Sequence, residues 1–143
     1  MVIPRVALIQ LTLSHQRKLY RIRQQATPFE ACALLLGTYQ KQNTLAIVNR
    51  IAEMENIAKS SSTFAMDPEQ QYQILSEAAR DNLEQVGVFH SHPAAPNPSH
   101  WDLEYMRFNP CVWVIDGIVG TRHKMKAFQM IKDQVFPVRI LYT

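Results

Sequence analysis

Two histidines one residue apart, His90 and His92, lie in the stretch VGVFHSHPAAPNPSHWD, Val86 to Asp102. Val86, Val88, His90 and His92 fall at every second position of a short apolar run. Alternate side chains of a strand share a face, so the two imidazoles project together, about 7 Å apart at their Cα atoms. Imidazoles at that spacing can close on one ion. Pro93 cannot donate to a ladder and ends the strand. A stiff loop with two more prolines, Ala94 to Pro98, leads to Ser99. Asp102 stands three residues further on and opens a helical-looking segment, His100 to Phe108. From there Asp102 can return to the histidine face as a third ligand. Two histidines and an aspartate suit zinc, and three protein ligands leave the fourth position to water. That open position belongs to catalytic sites, because structural zinc sites are closed.

Each piece also has a plainer reading. An isolated His-x-His is more often two satisfied or exposed histidines than a ligand pair. Ser99-x-x-Asp102 is also what a helix capping box looks like. Capping and ligation can coexist in one aspartate. Strand, His-x-His-Pro, proline loop and Ser-x-x-Asp together form a much rarer combination than any one of them.

Hydrolysis would also need a base. Glu30 sits at the mouth of a continuous apolar run, Ala31 to Leu36, which reads as a central strand covered on both faces. A carboxylate against such a strand is partly desolvated, which raises its pKa toward the range of a general acid/base. On the residues alone a loop carboxylate in water is the stronger reading, since Glu53, Glu55, Glu84 and Glu104 are also available.

The elements that must position these groups follow from pattern. Val2 to Leu13 reads as a strand. Ser14 reads as the N-cap of a helix over His15 to Ala26, with Leu19, Ile22 and Ala26 as its apolar stripe. Arg17, Lys18, Arg21 and Arg23 read as its solvated face. Thr27-Pro28 breaks that helix. Gln40 to Asn43 reads as a turn, Thr44 to Ile51 as a strand, and Glu53 to Thr63 as a polar surface loop in which Asn56 is given no role. Asp67-Pro68-Glu69-Gln70 is a helix start, with Asp as N-cap and Pro at the first position. That helix runs to about Leu83, with Leu75, Ala78, Ala79 and Leu83 as its buried stripe. Cys111 to Asp116 reads as an apolar strand with Trp113 in the core and Cys111 as an inert buried thiol. Lys124 to Ile131 and Val135 to Tyr142 read as a closing hairpin. The expected architecture is an α+β layered domain, a mixed sheet flanked by helices.

Size and charge bound the rest. At 143 residues and 47% hydrophobic, the chain reads as one domain, 1–143, with an ordinary core. No apolar run is long enough to span a membrane, and MVIPRVALIQL lacks the features of a signal peptide. Cys32 and Cys111 form no disulfide framework and no Cys-x-x-Cys, which suggests a reducing cytoplasm. A net charge of +3 is too weak to argue for nucleic acid and would also suit an acidic protein partner.

HSHP followed by PSxxD resembles the metalloprotease signature of the JAMM (MPN+) family, and the chain is similar to a compact prokaryotic member. The segment carrying Pro28, Glu30, Cys32 and Gly37 is similar to the one that bears the family's catalytic glutamate, with Ala33 where a glycine commonly stands. The resemblance implies the same fold, one Zn2+ per chain held by His90, His92 and Asp102, Ser99 beside the reacting carbonyl, and Glu30 as general acid/base. It implies an isopeptidase, deubiquitinase-like, acting after the Gly-Gly tail of a ubiquitin-like or sulfur-carrier protein. One departure is visible: six residues separate His92 from Ser99, where seven are expected. Two alternatives stand beside this reading: a non-catalytic MPN-type assembly module, and a nucleic-acid role like that of RadC-type proteins. The oligomeric state, a homodimer included, is left open.

Overall fold

A computed structural model describes residues 5–42 and 44–143. The elements run β1 (Leu8–Leu11), α1 (Leu13–Ala26), β2 (Cys32–Gln40), β3 (Leu45–Met54), α2 (Pro68–Arg80), β4 (Glu84–Ser91), α3 (His100–Phe108), β5 (Val112–Val119), β6 (Arg122–Ile131) and β7 (Gln134–Tyr142). The order of strands and helices is the expected one, but the sheet is not an open layer. The strands close in the order β1-β3-β2-β4-β5-β6-β7, with β1 pairing in parallel to both β3 and β7. Sequence pattern shows strand number, not whether the two edge strands meet, so it points to a layered sheet and not to a closed one. Here β1 lies between β3 and β7 and closes the mixed sheet into a barrel.

The sheet is apolar on both faces. Along β2, Ala33 and Leu35 join one core with Ile9, Leu19, Ile22 and Phe89, on the side where α1 packs. Cys32, Leu34 and Leu36 join a second core with Val88, Met106 and Trp113, where α2 and α3 pack. That double covering is why the run from Ala31 to Leu36 carries no polar residue. Trp113 is a core residue, 1% exposed.

Several local expectations are corrected. The helix α1 is capped by Thr12, whose hydroxyl accepts from His15 N while His15 Nδ1 accepts from Thr12 N, so Ser14 falls inside the first turn. Of its basic residues Arg17 and Arg21 are exposed, whereas half-buried Lys18 donates to Ile51 O and half-buried Arg23 pairs with Asp116. In α2, Asp67 caps Pro68 as expected, Ala78 is buried, and Ala79 faces solvent. Residues 2–4 and 43, which fall within the first strand and the first turn as read from sequence, lie outside the described residues. The even-numbered face of β4 is also interrupted. Register shifts where Leu35 pairs Gly87 and Leu36 pairs Gln85, leaving Val86 as the extra residue of a bulge. Val86 therefore turns into the α1-side core, while Val88 and His90 keep the other face.

Candidate metal centre

Pairing in the sheet brings the distant glutamate to the histidines. Antiparallel β2 and β4 place Cys32 opposite His90, so Glu30, just before β2, meets the end of β4. Ser91 fixes that junction, its Oγ accepting from Ala31 N at 2.8 Å and its own N donating to Ala31 O at 3.1 Å. The strand stops at Ser91, and His92 follows in the first residue beyond it. His90 is fully buried, stacked on Phe64 at 4.8 Å and edge-on to Trp113 at 5.5 Å.

The third group comes from α3. Ser99 caps this helix, its Oγ accepting from Asp102 N at 3.1 Å, while Asp102 Oδ2 accepts from Ser99 N at 2.8 Å. The same Oδ2 lies 3.0 Å from His90 Nε2 and 3.0 Å from His92 Nε2, and the two Nε2 atoms are 2.9 Å apart. Capping and convergence on the histidines do coexist in one aspartate. Glu30 completes the cluster: one carboxylate oxygen and the two histidine nitrogens lie within 4.8 Å of one another. Glu30 is 3% exposed, and among the described residues its Oε1 has no hydrogen-bond partner.

The two carboxylates are tuned in opposite directions. Burial pushes Glu30 up to about 7, the His92 charge opposing and the Asp102 charge adding to the rise. Burial also acts to raise Asp102, but hydrogen bonds with His90 and His92 and the Ser99 N–H outweigh it, holding the carboxyl well below its usual range. Burial lowers His90. For His92, burial is overcome by the contact with Asp102 and the charge of Glu30, and its pKa is raised. The cluster thus holds one carboxylate kept below its usual range in direct contact with both imidazoles, and a second carboxylate raised toward neutrality.

Donor chemistry fits a divalent ion. Two imidazole nitrogens and a carboxylate oxygen crowd to 2.9–3.0 Å of one another, an arrangement that a shared proton or a cation between them reconciles. Nitrogen and carboxylate ligands of this kind suit zinc. A cleft of about 380 Å³ opens beside the cluster, lined among others by Glu30, His92, Phe29, Ser61, Arg23 and His123.

Residues 12–131 match the family described as prokaryotic homologs of the JAB domain. The chain belongs to that family, the compact prokaryotic branch of the JAMM proteins. It is 38% identical over 114 residues to a desampylase of Pyrococcus furiosus, covering 78% of this chain and 75% of that protein. Among solved structures, a protein of Desulfitobacterium hafniense matches with a TM-score of 0.83 at 30% identity, covering 94% of this chain and 92% of that one. A Salinibacter ruber protein matches with a TM-score of 0.62 at 26% identity, covering 89% and 88%.

Within this JAB domain the structure shows two positioning residues that pattern did not reveal. Asn56, 8% exposed, donates from Nδ2 to the carbonyls of Glu30, Ser60 and Thr63. Its Oδ1 accepts from Ala58 N and Ala65 N. One side chain therefore organises the loop after β3, and that loop grips Glu30 at both backbone groups, Ser60 O accepting from Glu30 N at 2.8 Å. Ser91, between the two histidines, is the other. Neither carries a sequence signal beyond a polar residue in a loop and in a motif gap; both act through contacts distant in sequence.

Proposed function

We propose that the chain is a zinc-dependent (iso)peptidase that hydrolyses the amide bond after the C-terminal Gly-Gly tail of a ubiquitin-like or sulfur-carrier protein. The observation that carries this reading is the buried Glu30, whose Oε1 has no hydrogen-bond partner among the described residues, beside the convergent His90, His92 and Asp102 donors. Similarity to a protein named desampylase supports a ubiquitin-like modifier as substrate. A tail ending in glycines is extended and narrow, which suits the cleft beside Glu30 and His92.

His90, His92 and Asp102 hold the ion in this reading, and Glu30 stays outside the ligand set. When bound, the ion supplies Lewis-acid chemistry, acidifying water and polarising a carbonyl. Glu30, poised near neutrality by burial, takes the proton of the attacking water and hands it to the departing amine. Asp102 remains anionic throughout, because its hydrogen bonds with His90 and His92 outweigh the cost of burial. Ser99 Oγ uses a lone pair to accept from Asp102 N, so its own O–H proton remains to donate to the carbonyl oxygen as charge develops there. Residues 1–143 act as one catalytic domain. Cys32 and Cys111, both buried and unpaired, suit the reducing cytoplasm.

Glu30→Gln tests the assignment. It keeps the shape of the side chain and removes its proton chemistry. Zinc content should be unchanged, and cleavage of Gly-Gly-tailed fusions should fall by roughly 10²–10⁴. Near-normal cleavage by that variant would rule out Glu30 as the base.

A further inference from the structure

The six-residue loop between His92 and Ser99 lies flat on β5. His92 N donates to Asp116 O at 2.7 Å, and two residues on, Ile118 N donates to Ala94 O at 2.7 Å. Between these bonds sits Gly117. A Cβ there would meet Pro96 N at 2.4 Å, Ala94 O at 2.5 Å and Ala95 C at 2.7 Å, all of them loop backbone. Gly117 does not occupy a left-handed conformation, so glycine is needed for space, not for backbone freedom. Pro96 is buried against it, in a loop otherwise largely open to solvent. The seat is itself fastened from two other elements. Asp116 is fully buried, and its carboxylate takes Arg23 Nη1 of α1 at 3.3 and 3.4 Å and His123 Nδ1 of β6 at 3.2 Å.

We propose that Asp116, Gly117 and Ile118 form a preformed seat that fixes the proline loop, and with it the spacing between His92 and Asp102, before any metal binds. Gly117 is then a positioning residue of the metal centre. The inference rests on the metal-centre reading above and adds where its geometry comes from. A side chain at 117 lifts the loop. Its two ends carry His92 and the Ser99–Asp102 cap, so lifting moves one ligand relative to the others. The three prolines of the loop, Pro93, Pro96 and Pro98, leave it little freedom to bend around an obstacle.

Cobalt(II) titration of metal-free protein, read by visible absorption, tests this on wild type, Gly117→Ala and Gly37→Ala. Gly37 is the control remote from the loop: its Cβ would meet backbone still more closely, 1.7 Å from Ile47 O, but beside Glu84, at the opposite end of β4 from the histidines. Hydrogen exchange at the His92 and Ile118 amides of metal-free wild type provides a second readout that needs no variant. Cobalt affinity should drop about 10–100-fold in Gly117→Ala, with a changed absorption band, while folded Gly37→Ala keeps the wild-type band and affinity. The two amides should exchange slowly without metal. An unchanged band and affinity in Gly117→Ala, an equal loss in Gly37→Ala, or fast exchange at both amides would overturn the seat. Slow exchange at both amides in wild type that takes up no cobalt would instead overturn the metal-centre reading. Should Gly117→Ala fail to fold, the exchange result decides.

Discussion

Glu30 and Asp102 are two carboxylates beside one pair of histidines, and their surroundings drive them to different tasks. Asp102 touches both imidazoles and a backbone N–H; Glu30 is buried with an oxygen unsatisfied among the described residues. The second arrangement is destabilising, and this has a measurable consequence. Glu30 rises from 4.5 to about 7 on folding. Between those values the folded state holds a proton that the unfolded chain releases. The stability tied to that proton is complete below 4.5 and is lost as pH rises through about 7. Metal-free Glu30→Gln should therefore melt a few degrees above wild type at pH 8, and the gap should close toward pH 4. A gap independent of pH would show that Glu30 is not desolvated. At this scale the sequence was informative about His90, His92 and Asp102, because a period of two and a capping offset fix side-chain direction locally. It left Glu30 open among several glutamates, since its burial depends on a strand partner 60 residues away, where Ser91 bonds Ala31.

The loop after β3 is the least regular element at the site, yet Asn56 gives it five hydrogen bonds. The two N–H groups of Nδ2 are shared among three carbonyls, and Oδ1 accepts two. Asn56→Asp keeps the acceptor and replaces the donor with a second oxygen facing three carbonyls. Each buried partner left unsatisfied costs about 1–3 kcal/mol, so both this variant and Asn56→Ala should lower the melting temperature by more than one lost hydrogen bond would. Both variants should lower cleavage with less effect on zinc content, because Asn56 holds Glu30 and no ligand. Loss of zinc matching the loss of cleavage would contradict that division. Elements themselves were legible where local signals agree: α2 begins at Asp67-Pro68 and α3 spans His100 to Phe108, as read. The bulge at Val86 was not, because it reflects how β4 meets β2 and Gly87 approaches Val112 O.

At the scale of the molecule, the closure of the barrel sets the protein apart from the layered sheet its pattern suggested. β1 precedes the residues matched to the JAB family and β7 follows them, yet their parallel pairing closes the sheet. A chain ending at Ile131 should expose the edges of β1 and β6 and associate or precipitate on size-exclusion chromatography. A monodisperse, cooperatively folding truncation would show closure to be dispensable. Closure was invisible in the sequence because a strand of four residues, Leu8 to Leu11, carries no mark of having two neighbours. The whole account turns on whether the fold assembles one metal centre. The most direct measurement is zinc per chain in purified protein, wild type beside Asp102→Ala, after zinc is supplied and excess removed. One zinc per wild-type chain, lost in Asp102→Ala while the fold persists, is the predicted result. Wild-type protein that takes up no zinc, or an Asp102→Ala variant that keeps it undiminished, would contradict it.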